Sequence, residues 1–188
     1  MATAHFALET QPELQDPGLR LLFDTWLTLA DEDEGLSSVP RFDPLHLPKL
    51  LPNVWILEVE AATHRFRMRL TGENINAIYG RSIAGLYFKE VFQPGDVEII
   101  VARYTRALCE PAIFHASGSV YAAGGSLTVG ERLGLPMLGR EGRTNTLLGA
   151  TVYRSPLDKI AAVRLSDAQP QFHRIRAANH QAVEIAGG

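Results

Sequence analysis

The stretch VWILEVEAATHRFRMRLTG, residues 54–72, reads as two strands joined by a short turn. In each half apolar and polar side chains alternate, the pattern of a strand with one buried face, because successive side chains point to opposite sides of a sheet. A four-residue loop, Ala61 to His64, predicts a hairpin that sets Glu60 opposite Arg65, Glu58 opposite Arg67 and Ile56 opposite Arg69. On the other face Val59 meets Phe66, Leu57 meets Met68 and Trp55 meets Leu70. A slip of one residue would turn the arginines into the core, so this is the register that both faces accept. The row Arg65, Arg67 and Arg69 is therefore read as a wet face with carboxylates across from it rather than as a grip for an anion.

Working outward, PGLRLLFDTWLTLA at 17–30 predicts a helix with Asp16 as N-cap and Pro17 in the first position. Leu19, Leu22, Phe23, Trp26 and Leu29 recur along one side of it. Two destinations for that stripe are open, the chain's own domain or a second copy. The run DEDEGLSS at 31–38 reads as a linker, and prolines at 40, 44, 48 and 52 allow only short helical turns after it. Beyond the hairpin, GENINAIYGRSIAGLYFKEVF predicts short helices broken at Gly80 and Gly85. A longer helix starts at Pro94, with Val97, Ile100, Val101, Tyr104 and Leu108 along one side, and stops before Pro111. Three strands follow at 112–121, 127–138 and 145–153, with AAGG and REGR as their turns.

That order predicts an α+β domain: a five-stranded antiparallel sheet with short helices on one face, plus an N-terminal amphipathic helix. The chain divides into a helix and linker at 1–37, the domain at 38–155 and a flexible tail at 156–188 that carries a basic cluster of His173, Arg174 and Arg176.

Composition narrows the function. A length of 188 residues suits one domain, and a net charge of -3 argues against a nucleic-acid binder, which needs a concentrated positive face. Cys109 is the only cysteine, so an intramolecular disulfide is excluded. The opening MATAHFALET has neither the basic nor the apolar region of a secretion signal, and no apolar run approaches the roughly 20 residues that span a bilayer. A cytoplasmic protein without membrane insertion is expected.

The strand and helix order, together with RFDPLHLPKLLPNVWILEVE, FRMRLTGENINAIYGRSIAGLYFKEVF, LGLPML and TLLGATVY, resembles the PAS domains. More narrowly, it resembles a bacterial stand-alone PAS group with an N-terminal helix, an R-x-D-P opening (here Arg41, Phe42, Asp43, Pro44) and an R-L-x-G strand end (Arg69, Leu70, Thr71, Gly72). Met137 departs from the leucine expected after the proline of the late strand. The resemblance implies a sensor or regulatory module that binds a small molecule between sheet and helices, or a signalling-protein partner, and acts by association. PAS modules commonly dimerise, which makes Leu19, Leu22, Phe23, Trp26 and Leu29 the candidate surface of a homodimer.

The candidate ligand wall is Trp55, Leu57, Phe66, Met68, Phe88 and Tyr104, with Asn74 and Tyr79 as polar contacts near its mouth. The alternative is that these aromatics simply fill a core. No cofactor is identified. The cysteine-containing run of light-sensing flavin PAS domains is absent, and haem would need a ligand such as His115, whose strand face periodicity alone does not assign. No metal spacing is present. Neither a phosphate-cradling glycine loop nor a nucleophile elbow occurs, so no catalytic residues are assigned and the chain is read as a non-enzyme. The alternative is a small α+β enzyme of the cyclase or isomerase type using the same cavity. It would need an acid or histidine buried among the aromatics, whereas Glu58 and Glu60 point outward and Asp43 and Glu73 read as caps.

Overall fold

The computed structural model describes residues 6–123, 126–156 and 169–185. Among these, seven strands form one antiparallel sheet: β1 (Phe6–Leu8), β2 (Val54–Val59), β3 (Phe66–Thr71), β4 (Ala112–Ala123), β5 (Ser126–Met137), β6 (Thr146–Pro156) and β7 (Gln171–Ala177). Their spatial order is β1-β7-β4-β5-β6-β2-β3. The helices are α1 (Pro17–Glu32), α2 (Glu73–Tyr79), α3 (Phe88–Val91) and α4 (Pro94–Cys109). The fold is α+β, and the five strands expected from the sequence lie side by side from β4 to the edge strand β3. β1 and β7 extend the sheet beyond β4.

The hairpin keeps the expected register at its closed end, where Val59 pairs with Phe66, Glu58 with Arg67 and Leu57 with Met68. A bulge then leaves Arg69 as the extra residue, so that Ile56 faces Leu70 and Trp55 faces Thr71. Alternation alone does not show an inserted residue. Its consequence is that Leu70, expected inside, is 42% exposed. The ion pairs run diagonally, Arg67 to Glu60 at 3.4 Å and Arg69 to Glu58 at 3.7 Å, while Arg65 lies over the Tyr87 ring. In the β5–β6 turn, Gly142 at φ +75° supplies the left-handed residue of REGR. Gly124 and Gly125 of the other expected turn lie outside the described residues.

Helices cover both faces of the sheet: the short helices keep to one face, as expected, and the N-terminal helix α1 takes the other. On one face α1 packs Leu19, Leu22, Phe23 and Trp26 against Ile56, Ile113, Leu133, Leu135 and Leu148. On the other, α2, α3 and α4 pack against Trp55, Leu57, Phe66, Met68, Phe114 and Leu147. Asp16 caps α1 as expected, its Oδ1 accepting from the amides of Gly18 and Leu19. Leu19, Leu22 and Trp26 are fully buried, and the Trp26 indole donates to the Pro136 carbonyl at 3.1 Å. Leu29 is half-buried against the same core.

The stripe expected as a homodimer surface is thus occupied within the chain. The physical reason is that the second face of an apolar sheet needs a cover, and each large side chain buried there contributes about 1.5–3 kcal/mol. The linker is also part of this unit: Leu36 and Ser37 are buried, and Arg41 pairs with Glu32 and Asp33. Packing therefore does not break at residues 37–38.

The described part of the expected flexible tail is docked. QFHRIRA alternates as HRFRMRL does, with His173 and Ile175 inward and Arg174 and Arg176 outward, and it pairs with β4. Asn179 then clasps the Leu36 backbone, accepting from its N–H at 2.8 Å and donating to its carbonyl at 2.9 Å. His180 Nδ1 lies 2.9 Å from Thr144 Oγ1, and Val183 and Ile185 pack on the α2–α4 core. The remainder of that stretch, residues 157–168 and 186–188, lies outside the described residues.

Candidate functional site

Six of the eight side chains expected to form a ligand wall converge. Trp55, Leu57, Phe66, Met68, Phe88 and Tyr104 share one cluster between the sheet and α2–α4. Phe66 stacks on Phe88 at 5.1 Å, and Tyr104 meets Phe114 edge-on at 5.3 Å and Trp55 at 5.8 Å. Tyr79 stands at the margin, edge-on to Phe92. Asn74 does not belong there. It is exposed and its Nδ2 donates to Asn53 Oδ1 at 3.1 Å, while Asn76 ties down the local loop by accepting from Thr71 Oγ1 and the Ile83 amide. The helix turns Asn74 outward because Ile75 takes the buried position. A cavity of about 290 Å³ lined by Lys89, Phe92, Pro94, Val97 and Glu98 opens beside the cluster.

The central polar group is one that strand alternation does not single out. Arg132 of β5 is only 6% exposed and reaches into the aromatic side of the sheet. Its Nε donates to Thr151 Oγ1 at 3.0 Å and its Nη1 to Tyr104 Oη at 3.1 Å. The guanidinium carbon lies 5.9 Å from the Trp55 ring centre, and the indole N–H donates to the same Thr151 hydroxyl at 3.0 Å. Arg103 of α4 adds a second cation nearby: burial first, then the charge of Arg132, lowers its pKa, against an opposing contribution from Tyr104. A planar guanidinium set in an aromatic wall is suited to a carboxylate or carbonyl oxygen. The signal for it in the sequence is GER at 130–132, a charged pair inside an otherwise apolar strand.

Glu131, one residue earlier, leaves β5 on the opposite face. It is 1% exposed and accepts from the amides of Gln15 and Asp16 at the start of α1, with His115 Nε2 3.0 Å from its Oε1. This settles which face His115 takes, the one away from the aromatic cluster. The buried ionisable pair that an enzyme of the alternative class would need is present, but it serves α1 and not the aromatic wall.

At the hairpin, Glu60 is held below the ordinary carboxylate range by hydrogen bonds from Tyr87 and Thr63, with Arg67 and Arg65 adding to the effect. The Cys109 thiol is pushed up by burial and by Glu110. Among the described residues no group of His, Cys, Asp and Glu is placed to hold a metal, and no helix is long and apolar enough to cross a membrane.

A family model described as PAS domain matches residues 14–152. The chain belongs to the PAS domain family. The match takes in α1 and ends within β6, so β1 and β7 lie outside the matched span. No curated protein and no solved structure matches the chain. PAS domains are generally sensory or regulatory modules, and in this PAS domain Arg132, Tyr104, Thr151 and Trp55 are polar groups linked by hydrogen bonds on the side of the sheet covered by α2–α4.

Proposed function

We propose that this PAS domain is a regulatory module of cytoplasmic signalling that binds a small molecule between the sheet and α2–α4, with Arg132 as its polar anchor. The observation that carries the reading is the buried guanidinium itself. A charged side chain taken out of water costs several kcal/mol unless it is well satisfied, and an apolar residue of similar volume would hold the strand at lower cost. Set beside Trp55, Tyr104 and Thr151, the planar N–H groups of Arg132 suit a ligand with a carboxylate or carbonyl oxygen. Trp55, Phe66 and Phe88 supply the apolar contact area, and a cavity at Phe92 and Val97 opens beside their cluster. No catalytic step is assigned, because the acid buried among the described residues, Glu131, is engaged with backbone amides on the far face.

Native mass spectrometry of freshly purified protein beside the same sample denatured tests this reading. An adduct lost on denaturation, and weakened in R132K, supports it. An apo mass, with no thermal stabilisation by a panel of small carboxylates and carbonyl compounds, would overturn it and favour a module that binds a protein partner over a filled aromatic core.

A further inference from the structure

The segment leading into α1 is held to the sheet at both ends by side chains on the face away from the aromatic cluster. At one end, Glu131 accepts from the Gln15 amide at 2.9 and 3.2 Å through its two oxygens and from the Asp16 amide at 2.9 Å. At the other, Thr10 Oγ1 lies 2.9 Å from Nδ1 of His173, a β7 residue only 8% exposed. Between these tethers the His115 and His173 rings stand 6.4 Å apart. His115 Nδ1 and His173 Nε2 are both buried without a hydrogen-bond partner among the described residues. A neutral imidazole tolerates one bare nitrogen. An imidazolium carries a charged N–H on each nitrogen, and burying one of them without an acceptor is far more costly.

We propose that His173 is an acid-sensitive latch, whose protonation releases residues 9–16 from the sheet and loosens the start of α1 while the rest of the sheet stays folded.

Among the described residues the surrounding charges leave no easy counter-ion. From the N-terminal segment, Glu9 is paired outward with Arg176, Glu13 is exposed, and Asp16 is engaged in capping the amides of Gly18 and Leu19. From α1, Arg20 donates to the Leu14 carbonyl. From β7 itself, Arg174 is exposed and pairs with Glu110. From β4 comes His115, which adds positive charge when protonated, and from β5 comes Glu131, already bound to two amides and to His115. If Glu131 turned to the imidazolium it would surrender the amides of Gln15 and Asp16. Whether the ring moves out or Glu131 moves in, the segment loses a tether.

The sign follows from the same geometry. Burial first, and His115 second, hold the His173 pKa below its ordinary 6.5, so the docked state is favoured above that pH and loses ground as pH falls below it. Between the released and the docked pKa, the opening equilibrium rises about tenfold for each pH unit of descent.

Hydrogen exchange of the full chain at pH 7.5 and 5.5, corrected for intrinsic rates, is the test. A peptide spanning residues 9–22 should lose protection by about tenfold for each pH unit crossed between those two pKa values, while one from β6 keeps its own. H173N, whose amide can still meet Thr10, should remove the pH response. Equal protection of residues 9–22 at both pH values, parallel loss in β6, or an unaltered response in H173N would each overturn the proposal. Should H173N not fold, the NMR titration of the His173 ring in the natural sequence decides: its midpoint must coincide with the loss of protection, and a separate midpoint would overturn the latch.

Discussion

The Trp55 indole on β2 packs directly over Gly149 on β6, so closely that a Cβ there would stand 2.3 Å from Cζ2 and 2.4 Å from the Leu133 carbonyl oxygen. Gly134 pairs with Gly149 across β5 and β6 and completes the floor under the ring, with 3.2 Å to Cη2. Two facing glycines are therefore the seat that lets a tryptophan reach Thr151 and Arg132. G149A should cost about 3 kcal/mol, because both the ring and a backbone carbonyl would have to shift, and G134A about 1 kcal/mol. Urea denaturation of the two variants checks the order, and equal midpoints would contradict it.

W26A bears on the role of α1. The indole is fully buried in the chain's own core and donates to Pro136. The substitution should lower the stability of the protomer by about 3–5 kcal/mol. Were the helix only a contact between copies, the urea midpoint at high dilution would not move.

E131Q addresses the acid limb of stability. Burial pushes the Glu131 pKa up, but the amides of Gln15 and Asp16, with His115, outweigh it and hold the group below its ordinary 4.5. Its stabilisation is therefore complete above that pH and is lost as pH falls through the folded value. Glutamine at this position should cost about 2 kcal/mol at neutral pH and flatten the decline below pH 4.5. The stability of both forms across pH 3–7 would show it.

N179A tests the docking of the chain beyond β7. The amide side chain satisfies both backbone groups of Leu36. Its loss should cost about 2 kcal/mol and raise exchange at the Leu36 amide. A variant as stable as the parent would mean that water serves Leu36 equally well.

Much of the fold is legible in the sequence because alternation and capping are local signals. The register at the closed end of the hairpin, the Asp16 cap and the span of α4 follow from neighbours within a few residues. The destination of the α1 stripe does not, since an apolar face says that it must be buried and not against what. β7 carries the same alternation as β3 but presents itself as a basic cluster, because a strand that pairs with a partner about sixty residues away has no adjacent hairpin to announce it. Six side chains of the wall are legible as an aromatic set. Arg132 is not, because in a strand covered on both sides periodicity no longer separates inside from outside.

Glu131 and Arg132 are consecutive, and they leave β5 toward different cores. One peptide unit thus joins the groups that fasten the α1 approach to those that face the aromatic wall. A small rotation of β5 about its own axis moves the two side chains in opposite senses, so the strand is geometrically a seesaw with an arm in each compartment. Any rotation of β5 that moves Arg132 therefore also moves the carboxylate that holds the Gln15 and Asp16 amides.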